Sequence, residues 1–127
     1  MASLGEEIER EFAVRFLRDM KDLAAKGKLS FATTRQEYIQ TLAYLGLKPA
    51  HARQVVLDLT VENYLRGAGL ETKRENEERC DFGVYIDGEP VYIKVIIDRE
   101  HSRALCVSFH IAKWDINRRF AEGGEET

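Results

Sequence analysis

The sequence predicts an α+β fold, in which helices from the first half of the chain pack on an antiparallel sheet formed by the second half. Apolar residues up to residue 66 recur at helical spacing, whereas those from residue 80 onward alternate at period two. An Asp87-Gly88 pair joins two alternating segments, which is a strong hairpin signal. With 127 residues, 44% of them hydrophobic, the chain has the size of one globular domain covering residues 1–127.

The first half contains several helix start and stop signals. Ser3 with Glu6 and Thr34 with Glu37 match capping boxes, and Pro49 suits the first position of a third helix. The predicted helices are 4–26, 34–45, 49–58 and a short one at 60–66, with an extended link at 28–33.

The second half contains the predicted strands, which are 70–75, 80–87, 90–98 and 104–111, with a solvated loop at 76–79. A two-residue Asp-Gly turn sets Ile86 opposite Glu89, and this register places Asp81 beside Lys94 and Gly83 beside Tyr92. After the last strand, residues 114–120 predict a short amphipathic helix.

The register of the second hairpin follows from matching apolar residues across it. A five-residue loop at 99–103 sets Lys94 opposite Ser108 and Tyr92 opposite His110. A three-residue loop would slide these pairs by two without changing faces. The predicted core face comprises Phe82, Val84, Ile86, Val91, Ile93, Val95, Leu105, Val107, Phe109 and Ile111. The predicted outer face comprises Asp81, Gly83, Tyr85, Tyr92, Lys94, Cys106, Ser108 and His110.

Charge and composition limit the class of protein. The acidic ends, residues 1–11 and 120–127, each have a net charge of −3 and are expected to fray, which leaves +3 for the body of the chain. A mildly basic body permits a nucleic-acid ligand without demanding one. No apolar run approaches the ~20 residues of a membrane span, and the acidic start is unlike a signal peptide. We therefore expect a soluble protein of the reducing cytoplasm, with no membrane partner.

The two cysteines, Cys80 and Cys106, fit neither a disulfide framework nor a metal site. By strand parity they should point to opposite faces of the sheet and remain unpaired. No metal ligand set and no cofactor are predicted.

Tyr92, Lys94 and His110 on neighbouring strands suit metal-free RNA cleavage. A histidine exchanges protons near neutral pH, a phenol can hydrogen-bond a phosphate or stack on a base, and an ammonium offsets charge developing on phosphorus. Gly83, without a side chain, would leave room for a nucleotide against Tyr92. The alternative is an ordinary solvated sheet face, where tyrosine, lysine and serine are common.

The stretch from Phe16 to Ala112 resembles the MqsR toxins, ribonucleases of bacterial toxin–antitoxin modules related in fold to RelE. The similarity is carried, in order, by GK at 27–28 with ATT at 32–34, LGL at 45–47, VVLDLTVENYLRG at 55–67, VYIK at 91–94 and VSF at 107–109.

The resemblance implies a metal-independent endoribonuclease that cleaves single-stranded mRNA, does not act on DNA directly, and is silenced by a cognate antitoxin protein. Arg66 matches the family's phosphate-handling lysine, and Tyr92 its sheet tyrosine. His110 stands where the family has a second lysine, and Cys80 replaces a glutamine beside Asp81.

These matches give the predicted site and its chemistry. Attack by the 2′-OH on the adjacent phosphate would leave a 2′,3′-cyclic phosphate. Arg66, Tyr92 and His110 are the predicted catalytic residues, and Lys94, Asp81 and Ser108 are predicted to bind substrate. Asp81 could instead simply hold Lys94 in a surface salt bridge. Two other classes stay open, an RNA- or ribosome-binding module without chemistry and a protein-interaction domain.

Overall fold

The computed structural model describes residues 3–116 and has the predicted α+β architecture. The helices are α1 (Leu4–Ala25), α2 (Gln36–Leu45), α3 (Pro49–Leu57) and a 3₁₀ turn (Val61–Asn63). The strands are β1 (Leu29–Phe31), β2 (Tyr64–Arg66), β3 (Glu77–Ile86), β4 (Glu89–Asp98) and β5 (Arg103–Ile111). They form one sheet in the order β1-β5-β4-β3-β2, in which only the β1–β5 pairing is parallel.

The helix boundaries follow the start signals with one exception. Ser3 and Glu6 form the expected capping box, so residues 4–11 of the acidic N-terminal end are the first turns of α1. Pro49 opens α3 as predicted. The Thr34–Glu37 box is not used, because α2 begins at Gln36 with Arg35 in the N-cap position. Residues 120–127 lie outside the described residues.

Three predicted segments are corrected. Residues 70–75 are a loop rather than a strand, and residues 77–79, predicted as loop, are the start of β3. The segment predicted as a short helix at 60–66 divides into the 3₁₀ turn and β2, which pairs with β3. The extended link at 28–33 contains β1, which adds a parallel edge to β5. The sheet therefore has five strands, because edge pairing recruits two three-residue segments that are too short to show periodicity.

The first hairpin has the predicted register over its whole length. Ile86 pairs with Glu89, and Asp81 pairs with Lys94. Asp87 and Gly88 both have positive φ, 52° and 82°, as a two-residue hairpin turn of this hand requires.

The second hairpin has two registers joined by a bulge. Tyr92 pairs with His110 and Lys94 with Ser108, as predicted, but the next pair is Val95 with Cys106. The loop has four residues, 99–102, instead of five, since Asp98 pairs with Arg103. The extra residue, Val107, absorbs the mismatch between the register set at the loop and the register set at the far end.

On the loop side of the bulge, the residues of β5 lie on the sheet face opposite to the one predicted for them. Cys106, predicted outside, is buried in the core, and Leu105, predicted inside, is 37% exposed on the outer face. Val107 also leaves the core and is half-buried at the outer surface. Cys80 shares the core face with Cys106, so the predicted opposite parity is wrong. Both thiols are free, and Val95 lies between them in the sheet.

The core lies between the helices and the face of the sheet that is opposite the outer face. Phe16 of α1 packs against Phe82 of β3 with ring centroids 6.2 Å apart, and Tyr38 of α2 packs against Phe109 of β5 at the same separation. The described helices therefore cover the core face of the sheet, whereas the outer face is available for a ligand site.

Candidate nucleic-acid site on the outer sheet face

The strand register arranges the outer face in successive rows that run across the sheet. One row contains Tyr92 with Gly83 on one side and His110 on the other. The next contains Lys94 between Asp81 and Ser108. Beyond the bulge, a third row contains Arg79, Ile96, Leu105 and Ser30 in that order. The predicted site residues on β3, β4 and β5 therefore share one face, as expected.

Asp81 is the centre of a buried polar network. Its fully buried carboxylate accepts hydrogen bonds from Arg66 Nε (2.9 Å), Arg79 Nη2 (2.8 Å) and Tyr92 Oη (2.7 Å), all at Oδ2, and from Arg79 Nε at Oδ1 (3.0 Å). Burial opposes ionisation, but the donors from Arg79 and Tyr92 outweigh it, and the pKa of Asp81 lies below its usual value. Asp81 thus holds two arginines at the outer face and does not hold Lys94.

Tyr92 is a positioning residue in this geometry rather than a free phenol. Its side chain is 5% exposed, and its hydroxyl is committed to Asp81. Burial first, and the Asp81 carboxylate second, raise the pKa of Tyr92 to about 12. A neutral phenol that already donates to Asp81 cannot donate the same proton to a phosphate.

Lys94 lies among cations. Partial burial and the nearby Arg79 charge lower its pKa, and Arg35 and Arg66 act in the same direction, against the opposing effect of the Asp81 carboxylate. Within residues 3–116, Lys94 makes no hydrogen bond or ion pair, because Asp81 is occupied by the arginines. An ammonium without a partner among like charges is a site that an external anion would neutralise.

One ring nitrogen of His110 is held by a hydrogen bond, and the other faces a carboxylate. Nδ1 lies 2.9 Å from the carbonyl oxygen of Ile111, which can only accept, so Nδ1 bears a proton. Nε2 lies 3.8 Å from Oε1 of Glu37, and Lys113 is paired with the same carboxylate. The imidazole packs on Tyr92 with centroids 5.5 Å apart, and its side chain is 13% exposed.

The segment after β5 covers the Tyr92 end of the face. Trp114 packs on the Tyr92 ring at 5.6 Å, and Ile116 is buried against Gly83. A Cβ on Gly83 would lie 2.7 Å from Ile116 Cδ1, so the space predicted for a nucleotide is filled by the chain itself. Residues 114–116 are not helical, and the remainder of the helix predicted at 114–120 lies outside the described residues. We call Gly83, Tyr92 and His110 the covered half of the outer face.

The other end of the face is an open groove of about 660 Å³. Its apolar floor is formed by Ile96, Leu105 and Val107. Its basic lining residues are Arg35, Lys73, Arg74, Arg79, Lys94 and Arg103, and its acidic ones are Glu71, Glu77 and Asp98. Six basic against three acidic side chains give a formal charge of +3, which favours an anionic ligand. We call Arg79, Lys94, Ile96 and Leu105 the open half.

The structure thus brings together most of the predicted site and adds to it. Arg66 reaches Asp81 from β2, as its predicted role near the sheet requires. Arg79 and Arg35 were missed by the sequence pattern. Arg79 has the same strand parity as Asp81, and this signal is hidden when 76–79 is assigned to a loop. Arg35 lies before α2, where no local pattern indicates a site.

The cysteines do not contribute chemistry to the outer face. Burial raises the pKa of both thiols, that of Cys106 to about 12. A buried, protonated thiol is a poor nucleophile and a poor metal ligand. Within residues 3–116, no group of three or more histidine, cysteine or acidic side chains is arranged to hold a metal ion.

Comparison with protein-family models and with curated proteins finds no match to this chain. Of the helices in the part of the chain that the structure describes, none has the length and apolar character needed to cross a membrane.

Proposed function

We propose that the protein is a metal-independent endoribonuclease that binds single-stranded RNA on the outer sheet face, with the reacting phosphate over Ser108. The observation that supports this most is the register, in which Lys94 pairs with Ser108 and Tyr92 pairs with His110. Diagonal neighbours in adjacent strands lie ~7–8 Å apart. One phosphate could therefore contact the ammonium of Lys94 and the imidazole of His110 together. The resemblance to the MqsR toxins points to the same activity.

The chemistry follows from the groups on either side of that phosphate. His110 Nε2 would take the proton of the 2′-OH, whose oxygen attacks phosphorus and forms the 2′,3′-cyclic phosphate. The bond to the 5′ oxygen breaks, and this oxygen takes up a proton. General base catalysis of this kind contributes about 10²–10⁴-fold. Lys94, with Arg66 and Arg79 held by Asp81, would stabilise the charge developing on phosphorus.

This proposal changes the role of one predicted catalytic residue. Tyr92 would act through Asp81 by holding Arg66 and Arg79, rather than by contacting the substrate, because its hydroxyl is committed and Trp114 occupies its ring. Asp81 likewise would position the arginines instead of binding substrate.

The direct test is cleavage of 5′-labelled single-stranded RNA containing all four bases, in the presence of EDTA. We expect products that end in a 2′,3′-cyclic phosphate, with slower cleavage by His110→Ala and unchanged cleavage by His51→Ala, an exposed histidine of α3.

Two outcomes would contradict the proposal in different ways. Tight RNA binding without cleavage would favour the non-catalytic RNA-binding module, an alternative supported by the low exposure of the His110 side chain, which is 13%. Neither binding nor cleavage would favour a protein-interaction domain.

The biological counterpart of this activity would be a toxin of the bacterial cytoplasm, with mRNA as substrate and an antitoxin protein as partner. Expression of the chain alone should then arrest growth. Arg66→Ala should relieve the arrest while the fold persists, because Arg79 still occupies the Asp81 carboxylate. Harmless accumulation of the wild-type chain at high level would argue against a toxin.

A further inference from the structure

The floor of the open groove owes its apolar character to the β-bulge. Without Val107 as an extra residue, Leu105 would face the helices, as the alternation of β5 predicts. With it, Leu105 faces outward beside Ile96, and Val107 lines the same groove. A sheet face that is otherwise polar thus has three aliphatic side chains in one place.

Cations surround this floor on several sides. Arg79 lies next to Ile96 in the same row, and Lys94 lies one row away along β4. Arg35 and Arg103 line the groove as well. An apolar floor with such a border suits a ligand that has a flat apolar part and an attached anion.

We propose that the open groove is a nucleobase subsite, in which one unpaired base of the RNA lies on Ile96 and Leu105 and its phosphate is bound by Lys94. This rests on the proposed function, since it identifies which part of an RNA substrate occupies the groove next to the reacting phosphate. Arg79 and Arg35 provide guanidinium planes at the border, which stack readily on bases. The volume of about 660 Å³ lies within the ~300–1,000 Å³ of small-molecule sites.

The charge pattern argues for a nucleotide over a purely apolar ligand. An uncharged alkyl chain or an apolar peptide would gain from the floor but would leave Lys94 unneutralised. Inorganic phosphate would neutralise Lys94 but would leave the aliphatic floor of the groove exposed to solvent. Only a ligand with both parts uses both features.

Titration of the 15N-labelled protein with a nucleoside 3′-monophosphate, followed by NMR, tests this directly. The same titration with ribose phosphate and with inorganic phosphate separates the base from the anion. We expect the nucleotide to bind more tightly than both, with the largest shifts at Ser30, Ile96 and Leu105. Equal affinity for the three ligands, or shifts confined to residues outside the groove, would overturn the subsite.

Substitution of the apolar residues that form the groove floor is a second test of the subsite. Leu105→Ser should weaken nucleotide binding at least about tenfold, because the loss of even one methylene from an apolar pocket costs about 10–200-fold. Leu70→Ser is a matched control, since Leu70 is 38% exposed and does not line the groove. Ile96→Thr, which keeps the branched shape, should give a smaller loss in the same direction. Wild-type affinity in both floor variants would overturn the proposal.

The two proposals fail in distinguishable ways. If the nucleotide binds in the groove but no variant and no wild-type sample cleaves RNA, the subsite stands and the ribonuclease does not. If RNA is cleaved with identical KM by wild type, Leu105→Ser and Leu70→Ser, the ribonuclease stands and the subsite does not.

Discussion

The two halves of the outer sheet face differ in what lies over their apolar surface. In the covered half, the chain itself supplies the cover, with Ile116 on Gly83 and Trp114 on Tyr92. In the open half, Leu105 is exposed and its neighbours Ile96 and Val107 are half-buried, with cations around them. The two halves therefore lie side by side on one face but differ in their accessibility to a ligand.

Asp81 and Ser108 form the border between the halves, in the row that also contains Lys94 of the open half. Asp81 belongs to both halves, since it accepts from Tyr92 on one side and from Arg79 on the other. A change at this carboxylate should therefore disturb the whole face, whereas changes within either half should stay local. The predictions below test this contrast.

The largest effect is expected for Asp81→Ala. It leaves the buried Tyr92 hydroxyl without its acceptor and two arginines without their counter-ion, which should cost about 3 kcal/mol of unfolding free energy. Urea denaturation measures it. Asp22→Ala, an exposed carboxylate of α1, should change stability by no more than ~0.5 kcal/mol. Equal effects of the two substitutions would show that the network does not link the halves.

The contribution of Asp81 should also depend on pH in a defined direction. Its pKa is lowered in the folded state, whereas an aspartate in an unfolded chain titrates near ~3.9. The stability difference between wild type and Asp81→Asn is therefore fully present above about pH 5, begins to decrease as the pH falls below ~3.9, and is lost as the pH falls through the lower pKa of the folded state. Glu78, whose pKa is lowered to about 2 mainly by Arg15, adds a parallel loss in acid to both proteins. A difference that grows in acid would contradict the assignment.

Lys94→Gln should separate the open half from the rest. Loss of one charged phosphate contact should weaken single-stranded RNA binding about tenfold, or ~1.4 kcal/mol, and reduce the salt slope by ~1. Fluorescence anisotropy at several salt concentrations measures both quantities. Lys26→Gln, at the end of α1, removes the same charge elsewhere and should have little effect. If both variants lose affinity equally, the binding is non-specific attraction and the groove has no special role.

The smallest effect is expected in the covered half, for Gly83→Ala. The new methyl group displaces the end of the Ile116 side chain, which should change stability by about 1 kcal/mol and loosen the cover. Trp114 is the only tryptophan of the chain, so its emission should shift to the red as it leaves Tyr92. Ile116→Val, which lacks the Cδ1 atom of this close contact, should relieve the clash when combined with Gly83→Ala and recover part of the stability. Unchanged emission in Gly83→Ala would mean that the cover does not depend on the contact with Gly83.

RNA binding by the same Gly83→Ala variant tests whether the covered half and the open half are independent. If the halves are independent, affinity for the open groove stays at the wild-type value. If the cover limits access to His110, the cleavage rate rises while groove affinity does not change.

Features that depend on residues close together along the chain could be predicted from the sequence. The Asp-Gly turn and the period-two alternation set the β3–β4 register, and with it the pairing of Asp81 with Lys94 and of Gly83 with Tyr92. Matching of apolar residues across the second hairpin placed Tyr92 opposite His110, although the loop has four residues instead of the predicted five. These are decided by turn chemistry and side-chain parity, which a short stretch of chain fixes alone.

The residues that lie on the outer face, and those that cover it, depend on long-range contacts that the sequence pattern did not predict. The bulge at Val107, which turns Leu105 outward and Cys106 inward, reconciles two registers whose positions are not visible in β5 itself. The pairing of β1 and β2 and the packing of Ile116 on Gly83 join segments far apart in sequence. Such contacts depend on which surfaces remain free once the sheet has formed, so no local pattern predicts them.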